Sequence, residues 1–299
     1  HVQNLRRLRL CTPAALATCD RFECANTVVL GTVPGLALVE LTAARKSCVV
    51  KRNGEYRCNG HRRTSMIDLH YVATANGLKV AILLQELGIP YRVIKYDLFG
   101  GQHLTPAFRR INPNNKLPAI IDHEPADGGE PLPIFESGAI LLYLAEKIGR
   151  FIPADLRKRV LTQQWLIWQM AGLGPMHGQA HHFTRYAPER MEYPLNRYQN
   201  EAKRLLNVLE YRLSEAEYLA EEYTIADMAA WPWVGGAQLI DIDIAQFPAI
   251  SRWHGAVGSR PAVAAAVAAK DTAVPPEYMQ ERAVLTPEQW SNTFGERML

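Results

Sequence analysis

The stretch that decides the fold reads NPNNKLPAIID at residues 112–122, and PIFESGA follows at residues 133–139. In the first stretch, a polar turn leads through Pro118 into a short apolar run, which is typical of a buried strand. In the second, a strand reaches the pair Glu136-Ser137 and continues into apolar residues at helical spacing. The polar, glycine-containing segment between the two strands predicts a hairpin connection.

The proline at the start of the first strand allows two interpretations. A proline removes one hydrogen-bond donor from a sheet, which suits an edge strand with an ordinary trans bond. If the Leu117-Pro118 bond is instead cis, the N–H and C=O of Leu117 turn outward and can pair with an extended peptide. The sequence leaves both interpretations open.

Glu136 and Ser137 stand where the second strand gives way to a helix. Ser137 can cap that helix, and its backbone N–H can hold a carboxylate, because helix N-termini favour anions. Glu136 can pair with an ammonium group. A carboxylate and an ammonium on one carbon form the head group of an amino acid, whereas the alternative is an ordinary helix cap.

Taken together, the two stretches resemble the glutathione-binding half of glutathione transferases. NKLPA resembles the cis-proline strand of that family, and FESGAILLYL resembles its γ-glutamyl clamp. The match is closest to the Nu class, the bacterial disulfide-bond oxidoreductase type, and it extends over about residues 66–270 through the segments LGPM, HHF, IADM and WPW. The resemblance implies an α+β fold, in which an N-terminal thioredoxin-like domain is followed by an all-α glutathione-transferase C-terminal domain, and it implies a homodimer.

The order of predicted elements agrees with that fold. Strands at 66–71 and 91–96 joined by a helix at 78–87 form a βαβ unit, and a short helix at 106–111 leads to the proline strand. This predicts a thioredoxin-like, glutathione-binding domain over residues 66–150. An all-helical domain is predicted over residues 155–270, with candidate helices at 155–184, 191–216, 224–240, 247–258 and 261–270. Thr224 and Asp227 form a predicted capping box.

The two ends of the chain differ from this body. Residues 1–65 carry 11 lysines and arginines against 4 acidic residues, and we predict that they form a poorly ordered basic extension. The remaining residues carry 22 basic and 26 acidic side chains, which does not favour a nucleic-acid partner. The C-terminal tail, residues 271–299, is predicted to fold over the site or over a dimer partner.

The distribution of cysteines limits the chemistry of the body. All five cysteines lie within the first 65 residues, and none follows Met66. Any thiol chemistry in the body must therefore use a thiol that a ligand carries. No run of about 18 apolar residues occurs, so we expect no membrane-spanning helix.

The segment TANG, residues 74–77, precedes the first predicted helix. A helix start presents free N–H groups and the positive end of a dipole, which lowers the pKa of a nearby thiol. The resemblance assigns Thr74 and Asn76 to the glutathione sulfur, and the alternative is that Asn76 is a plain helix cap. Tyr71 is the rival activator, because many transferases use a tyrosine near the end of the first strand.

The remaining glutathione contacts follow from the resemblance. They are predicted at Gln102, Lys116, Leu117, Pro118, Glu136, Ser137 and Arg197. Lys116 would meet the glycine carboxylate, and Arg197 would reach a second glutathione molecule. A solvated turn lysine and a surface helix arginine are the alternatives at these positions. His103 follows Gln102 directly, so either residue can take that place.

Two histidines with helical spacing raise the question of a metal. His177 and His181 are four residues apart, with His182 adjacent, and such a pair on a helix can bind zinc. No carboxylate completes a ligand set nearby, and the resemblance implies no metal. We therefore predict that the histidines form a pocket wall or polar packing.

The sequence thus predicts a cytoplasmic enzyme in which bound glutathione, as co-substrate, reduces small disulfides. Two alternatives remain. The first is a glutathione S-transferase that conjugates electrophiles, with Tyr71 as a possible activator, and the second is a non-catalytic binding protein of the same fold. Neither a nucleic acid nor a membrane is expected as a partner.

Overall fold

The computed structural model describes residues 66–269, 271 and 283–298, together with the backbone of four short strands in the N-terminal extension. Leu30–Val33 pairs antiparallel with Leu36–Val39, and Val49–Val50 pairs antiparallel with Tyr56–Arg57. Contacts divide the chain into the units His1–Arg62 and Arg63–Leu299. Apart from these strands, the predicted basic extension over residues 1–65 lies outside the described residues.

The second unit begins with a mixed four-stranded sheet. Its strands are β1 (Ile67–Tyr71), β2 (Tyr91–Lys95), β3 (Ala119–Asp122) and β4 (Leu132–Phe135), in the order β2-β1-β3-β4. β2 runs parallel to β1, and β3 is antiparallel to both β1 and β4. The sheet confirms the predicted βαβ unit, the predicted hairpin and the thioredoxin-like fold.

Three helices complete this domain: α1 (Ala75–Leu87), α2 (Pro106–Arg109) and α3 (Ser137–Ile148). α1 begins at Thr74, whose side-chain oxygen accepts a hydrogen bond from the N–H of Gly77. From Gly77 to Leu84 every residue of α1 is buried. A helix that is buried on all sides must lie between two layers, and α1 packs against α3 of its own domain and against helices of the second domain.

The second domain is helical, as predicted. Its helices are α4 (Leu156–Trp168), α5 (Gly174–Arg185), α6 (Glu192–Glu215), α7 (Ile225–Gly235), α8 (Pro248–Gly258) and α9 (Pro261–Ala268), and the tail contributes α10 (Pro287–Thr293). The helix predicted at 155–184 contains a π-helical segment, Gln169–Leu173, between α4 and α5. Within the described range, no helix is both long enough and apolar enough to cross a membrane.

Asp227 secures the start of α7 in the middle of the helical domain. The predicted capping box is confirmed, because the Asp227 carboxylate accepts from the Thr224 N–H at 3.0 Å. The carboxylate also accepts from the Leu219 N–H at 3.0 Å and from the Trp253 indole N–H at 2.9 Å. Asp227 is completely buried, so water cannot take its place as the acceptor for these donors.

We predict that Asp227→Ala lowers the free energy of unfolding by about 3 kcal/mol, since it leaves several buried donors without an acceptor. Asp155→Ala is the matched control, because Asp155 caps the exposed start of α4 and its loss should cost about 1 kcal/mol. Urea unfolding followed by circular dichroism measures both values. Equal losses for the two variants would contradict the central role of Asp227.

Candidate active site

A cavity of about 720 Å³ lies where the two domains meet, and we call it the junction cavity. The first domain contributes the start of α1 and the loop before β3 to its lining. The second domain contributes α5 and the end of α7, and the tail contributes Thr293 and Phe294. The described end of the tail therefore folds over the cavity, which was one of its two predicted positions.

Thr74 and Asn76 lie together on the wall formed by the start of α1. The side-chain oxygen of Thr74 accepts from the Gly77 N–H at 3.3 Å, so its hydroxyl hydrogen is left to donate into the cavity. The first turn of α1 also presents backbone N–H groups and the positive end of the helix dipole. This wall therefore suits an anion such as a thiolate.

Trp233 fixes the orientation of the Asn76 amide. Its indole N–H donates to Asn76 Oδ1 at 3.1 Å, across the boundary between the domains. With the amide oxygen held by Trp233, the amide N–H groups of Asn76 are left for another acceptor. Trp231 and Trp233 are partly buried and line the junction cavity.

The proline strand contributes the next wall. The Leu117-Pro118 bond is cis, and β3 lies between β1 and β4, so the interpretation of an edge strand with a trans bond is wrong. Lys116 and Leu117 line the junction cavity. Asn112 Nδ2 donates to the Lys116 carbonyl at 2.7 Å and holds the turn in place. Desolvation lowers the pKa of the Lys116 ammonium.

At the start of α3, the helix cap differs from the prediction. Glu136, not Ser137, is the N-cap, and it has a φ of 67°, which is unusual for a residue with a side chain. Ser137 is the first helical residue and is buried, so the interpretation of Ser137 as the cap is wrong. Its backbone N–H nevertheless belongs to the first turn, where helical N–H groups have no partner within the helix.

Lys79 is a buried residue of this region that the sequence interpretation missed. Its ammonium donates to Gln169 Oε1 at 2.6 Å and to Ser137 Oγ at 3.4 Å, and it lies 3.4 Å from the sulfur of Met170. A lysine within the otherwise apolar segment LKVAILL was the available signal, because lysine is rarely fully buried without a partner.

The opposite wall carries basic residues of α5. His177 and His181 line the junction cavity, as predicted, and Arg185, which was not predicted, lies beside them. Burial lowers the pKa of each histidine to about 4, so both are neutral at pH 7. Arg185 donates to His181 Nε2 at 3.0 Å, which agrees with a neutral ring. Over residues 66–269 and 283–298, no three side chains form a group suited to a metal ion.

Five predicted contacts lie outside the lining of the junction cavity, namely Gln102, Pro118, Glu136, Ser137 and Arg197. Gln102 uses its side-chain oxygen to accept from the Asp97 N–H at 2.9 Å, whereas His103 lines the cavity. Arg197 lies on α6 with 58% of its side chain exposed, and it is 3.7 Å from Glu201. Their assignments as glutathione contacts stay predictions, as do those of the other predicted site residues.

Tyr71, the rival activator, is buried beneath α1 with 1% of its surface exposed. The ring packs against Gly77, and Tyr71 does not line the junction cavity. Burial raises the pKa of its hydroxyl, which disfavours a tyrosinate. The geometry therefore places Thr74 and Asn76, not Tyr71, at the cavity.

A thioredoxin-like domain with a cis-proline strand, joined to a helical domain across such a cavity, defines the class of glutathione transferase folds. The profile of the glutathione S-transferase N-terminal domain matches residues 65–146, and that of the C-terminal domain matches residues 175–261. The chain belongs to the glutathione transferase family.

Individual relatives agree with this assignment. The chain is 53% identical to the disulfide-bond oxidoreductase YfcG of Escherichia coli (strain K12) over 203 residues, which cover 68% of this chain and 94% of the relative. It is 42% identical to the disulfide-bond oxidoreductase YghU of the same strain over 211 residues, covering 66% of this chain and 72% of the relative. A glutathione transferase structure from Pseudomonas putida, with one glutathione disulfide bound per subunit, superposes with a TM-score of 0.65 at 39% identity over 71% of this chain and 94% of that chain.

A structure from Burkholderia graminis, with two glutathione molecules bound per subunit, matches with a TM-score of 0.65 at 42% identity. That match covers 71% of this chain and 91% of the other.

We predict that Gly77→Ala destabilises the protein, because the added Cβ would lie 2.3 Å from the Val72 carbonyl oxygen and 2.8 Å from the Tyr71 ring. The expected loss is about 2 kcal/mol of unfolding free energy, measured by urea unfolding. Gly255→Ala on α8 is the matched control, since its Cβ would meet no atom within 4 Å. It should leave the stability unchanged or raise it by about 0.5–1 kcal/mol. A Gly77→Ala protein as stable as the control would show that β1 does not confine the start of α1.

Proposed function

We propose that this protein is a glutathione-dependent disulfide oxidoreductase, in which a bound glutathione thiolate reduces small disulfides. One observation carries the proposal. Thr74 and Asn76 at the start of α1 line the junction cavity, and Trp233 holds the Asn76 amide oxygen, while the chain from Met66 onward contains no cysteine. A site built to hold a thiolate without a thiol of its own needs a ligand that brings one.

The first step is an exchange between the bound thiolate and the disulfide. The glutathione thiol gives its proton to solvent, and the hydrogen-bond donors at Thr74 and Asn76 stabilise the thiolate. The thiolate attacks one sulfur of the disulfide, a glutathione–substrate disulfide forms, and the second half of the substrate leaves as a thiolate that takes up a proton. One disulfide is broken and one is formed, so this step involves no external oxidant or reductant.

The second step completes the reduction. A second glutathione thiolate attacks the glutathione sulfur of the mixed disulfide, glutathione disulfide forms, and the remaining half of the substrate leaves as a thiol. Two glutathione molecules are thereby oxidised for each disulfide reduced. The bound glutathione disulfide in the Pseudomonas putida relative and the two glutathione molecules in the Burkholderia graminis relative support this stoichiometry.

The predicted contacts give glutathione one orientation in the site. The backbone of Leu117 pairs with the cysteinyl residue next to Pro118, and Lys116 meets the glycine carboxylate. The N–H of Ser137 holds the α-carboxylate of the γ-glutamyl residue, and Glu136 holds its ammonium group. In this orientation the sulfur lies toward the start of α1. Gln102 or His103, and Arg197, are assigned to the remaining contacts with the two glutathione molecules.

The same activated sulfur can attack an electrophilic carbon, so conjugation is the second candidate activity. The aromatic part of the junction cavity, formed by Trp231, Trp233, Tyr186 and Phe294, favours it because such walls accept apolar substrates. A reaction that consumes reduced glutathione fits a cytoplasmic location, since glutathione keeps that compartment reducing.

The test compares turnover of bis(2-hydroxyethyl) disulfide with turnover of 1-chloro-2,4-dinitrobenzene, each with glutathione. We expect the disulfide to be the better substrate. A protein that conjugates the aryl halide and leaves the disulfide intact would replace the first proposal by the second. A protein that binds glutathione and turns over neither compound would be a binding module.

Substitutions at the sulfur site give the sharper result. Asn76→Ala and Thr74→Val should each lower kcat/KM for the disulfide by about 10–100-fold, because each removes a hydrogen bond to the thiolate. The pKa of bound glutathione, followed by thiolate absorbance near 240 nm, should rise in both variants. Thr105→Val is the matched control, since Thr105 caps α2 in the same way but does not line the junction cavity.

We propose in addition that the protein forms a homodimer through α4 and β4. Leu156, Val160 and Ile167 lie on one side of α4 and are 73%, 44% and 61% exposed. Leu132 and Phe135 of β4 are also exposed. The helical positions 156, 160 and 167 fall within about 40° of one another, so the three side chains form an apolar stripe on one side of α4, which Gln163 interrupts. A second copy of the chain would cover this stripe in a symmetric interface.

We predict that Ile167→Glu converts a dimer into a monomer, because it places a charge in the apolar stripe. Light scattering after size-exclusion chromatography measures the mass. Val284→Glu is the control, since Val284 is 93% exposed and lies outside α4 and β4. A wild-type protein that already elutes as a monomer would rule out the dimer, and a dimeric Ile167→Glu protein would exclude this surface.

A further inference from the structure

Lys79 lies beside the start of α3, next to the part of the proposed site that is assigned to the γ-glutamyl residue of glutathione. It is 1% exposed, and its ammonium reaches Ser137 of α3 and residues Gln169 and Met170 of the π-helical segment. All three contacts are with neutral groups. The lysine therefore connects the γ-glutamyl end of the site with the helical domain, although the reaction described above does not use it.

The charge of Lys79 has no close counter-ion among the described residues. No ion pair of residues 66–269 and 283–298 includes it. Of the elements packed against α1, α9 carries no charged residue, and the Asp227 carboxylate of α7 is held by its own donors. In the last turn of α3, Glu146 pairs with Arg159 and Lys147 pairs with Asp122. Burial lowers the pKa of the Lys79 ammonium to about 7, and the carboxylate of Glu136, the N-cap of α3, opposes this shift. The ammonium is therefore only partly protonated near neutral pH.

A bound γ-glutamyl group would change this balance. Its α-carboxylate is assigned to the N–H of Ser137, and the hydroxyl of the same residue is 3.4 Å from the Lys79 ammonium. An anion at that N–H would place a negative charge near Lys79 on the side that now holds only neutral partners. The ammonium group of the same γ-glutamyl residue would lie at Glu136, which is exposed.

We propose that Lys79 is a positioning residue, whose buried ammonium balances the α-carboxylate of the γ-glutamyl residue through Ser137 and takes up a proton when that carboxylate binds. The inference rests on the proposed glutathione site. It assigns a buried cation to the site, and it makes the affinity for the ligand depend on pH.

The direction of the pH dependence follows from linkage. The pKa of Lys79 in the free protein is about 7, and the bound carboxylate raises it, so the complex holds more protons than the free protein above that pH. The affinity is therefore greatest at and below pH 7 and declines as the pH rises above 7. It levels off once the pH exceeds the pKa of Lys79 in the complex.

The experiment is isothermal titration calorimetry with S-methylglutathione, which has no thiol proton to release. Titrations at pH 8 in buffers of different ionisation enthalpy give the number of protons taken up. The wild-type protein should take up about half a proton or more per ligand. Lys79→Met should take up none, bind about tenfold or more weakly at pH 7, and lose the decline of affinity above pH 7.

Lys116 is the competing site of proton uptake, because desolvation lowers its pKa as well and it is assigned to the glycine carboxylate. Two ligands separate the two lysines. γ-Glutamyl-S-methylcysteine lacks the glycine carboxylate and should still cause proton uptake in the wild type. 4-Aminobutyryl-S-methylcysteinylglycine lacks the α-carboxylate and should not. Lys116→Met should retain the uptake that Lys79→Met loses.

The outcomes separate this inference from the proposed function. Binding of S-methylglutathione without proton uptake, or uptake that persists in Lys79→Met, would overturn the role of Lys79 and leave disulfide reduction standing. Absence of disulfide turnover, with proton-linked binding intact, would overturn only the reaction. If Lys79→Met does not fold, the ligand series on the wild-type protein still decides, and a protein that binds neither ligand overturns both proposals.

Discussion

The burial of α1 on all its sides is the constraint on which the rest of the structure depends. Residues Gly77–Leu84 are buried, and α1 packs against α3 of its own domain and against α7 and α9 of the helical domain, so the helix cannot shift without breaking both sets of contacts. Only its first turn opens into the junction cavity. The unpaired N–H groups of that turn are therefore held at a fixed place, which is the condition for stabilising a charge that forms during a reaction.

Polar groups of α1 form hydrogen bonds and ion pairs with residues of the helical domain as well as of their own domain. Trp233 of α7 holds the amide of Asn76, and Gln169 of the π-helical segment accepts from Lys79. At the far end of α1, Glu86 pairs with Arg260 at 2.7 Å. Lys79 is buried in the complete protein, and the helical domain supplies the acceptor of its shortest hydrogen bond, so the ammonium is not left without a partner. The helical domain is thus part of the site and not only its cover.

The elements that local patterns define were predictable from the sequence, and the contacts between distant elements were not. The βαβ unit and the capping box at Asp227 follow from residue periodicity and from cap preferences. The alternative that Asn76 caps α1 is wrong, because Thr74 is the N-cap and Asn76 lies within the helix. Trp233 and Lys79 lie on helices whose periodicity indicates a buried face, but periodicity does not specify the partner of a polar atom. Arg185 and the π-helical segment carry no local signature in the sequence. The cap of α3 is Glu136 and not the predicted Ser137, because the backbone at Glu136 takes a positive φ.

The chemistry of the junction cavity favours a thiolate of moderate basicity. The groups assigned to the sulfur, Thr74 and Asn76, are neutral donors, and the neighbouring histidines are kept neutral by burial. A cation in contact with sulfur would lower the pKa of the thiol further, but nucleophilicity falls together with the pKa. The best attacking thiol has a pKa near the ambient pH. With neutral donors and a helix dipole assigned to the sulfur, and Lys116 and Lys79 assigned to the carboxylate ends of the ligand, the proposed site would meet that requirement.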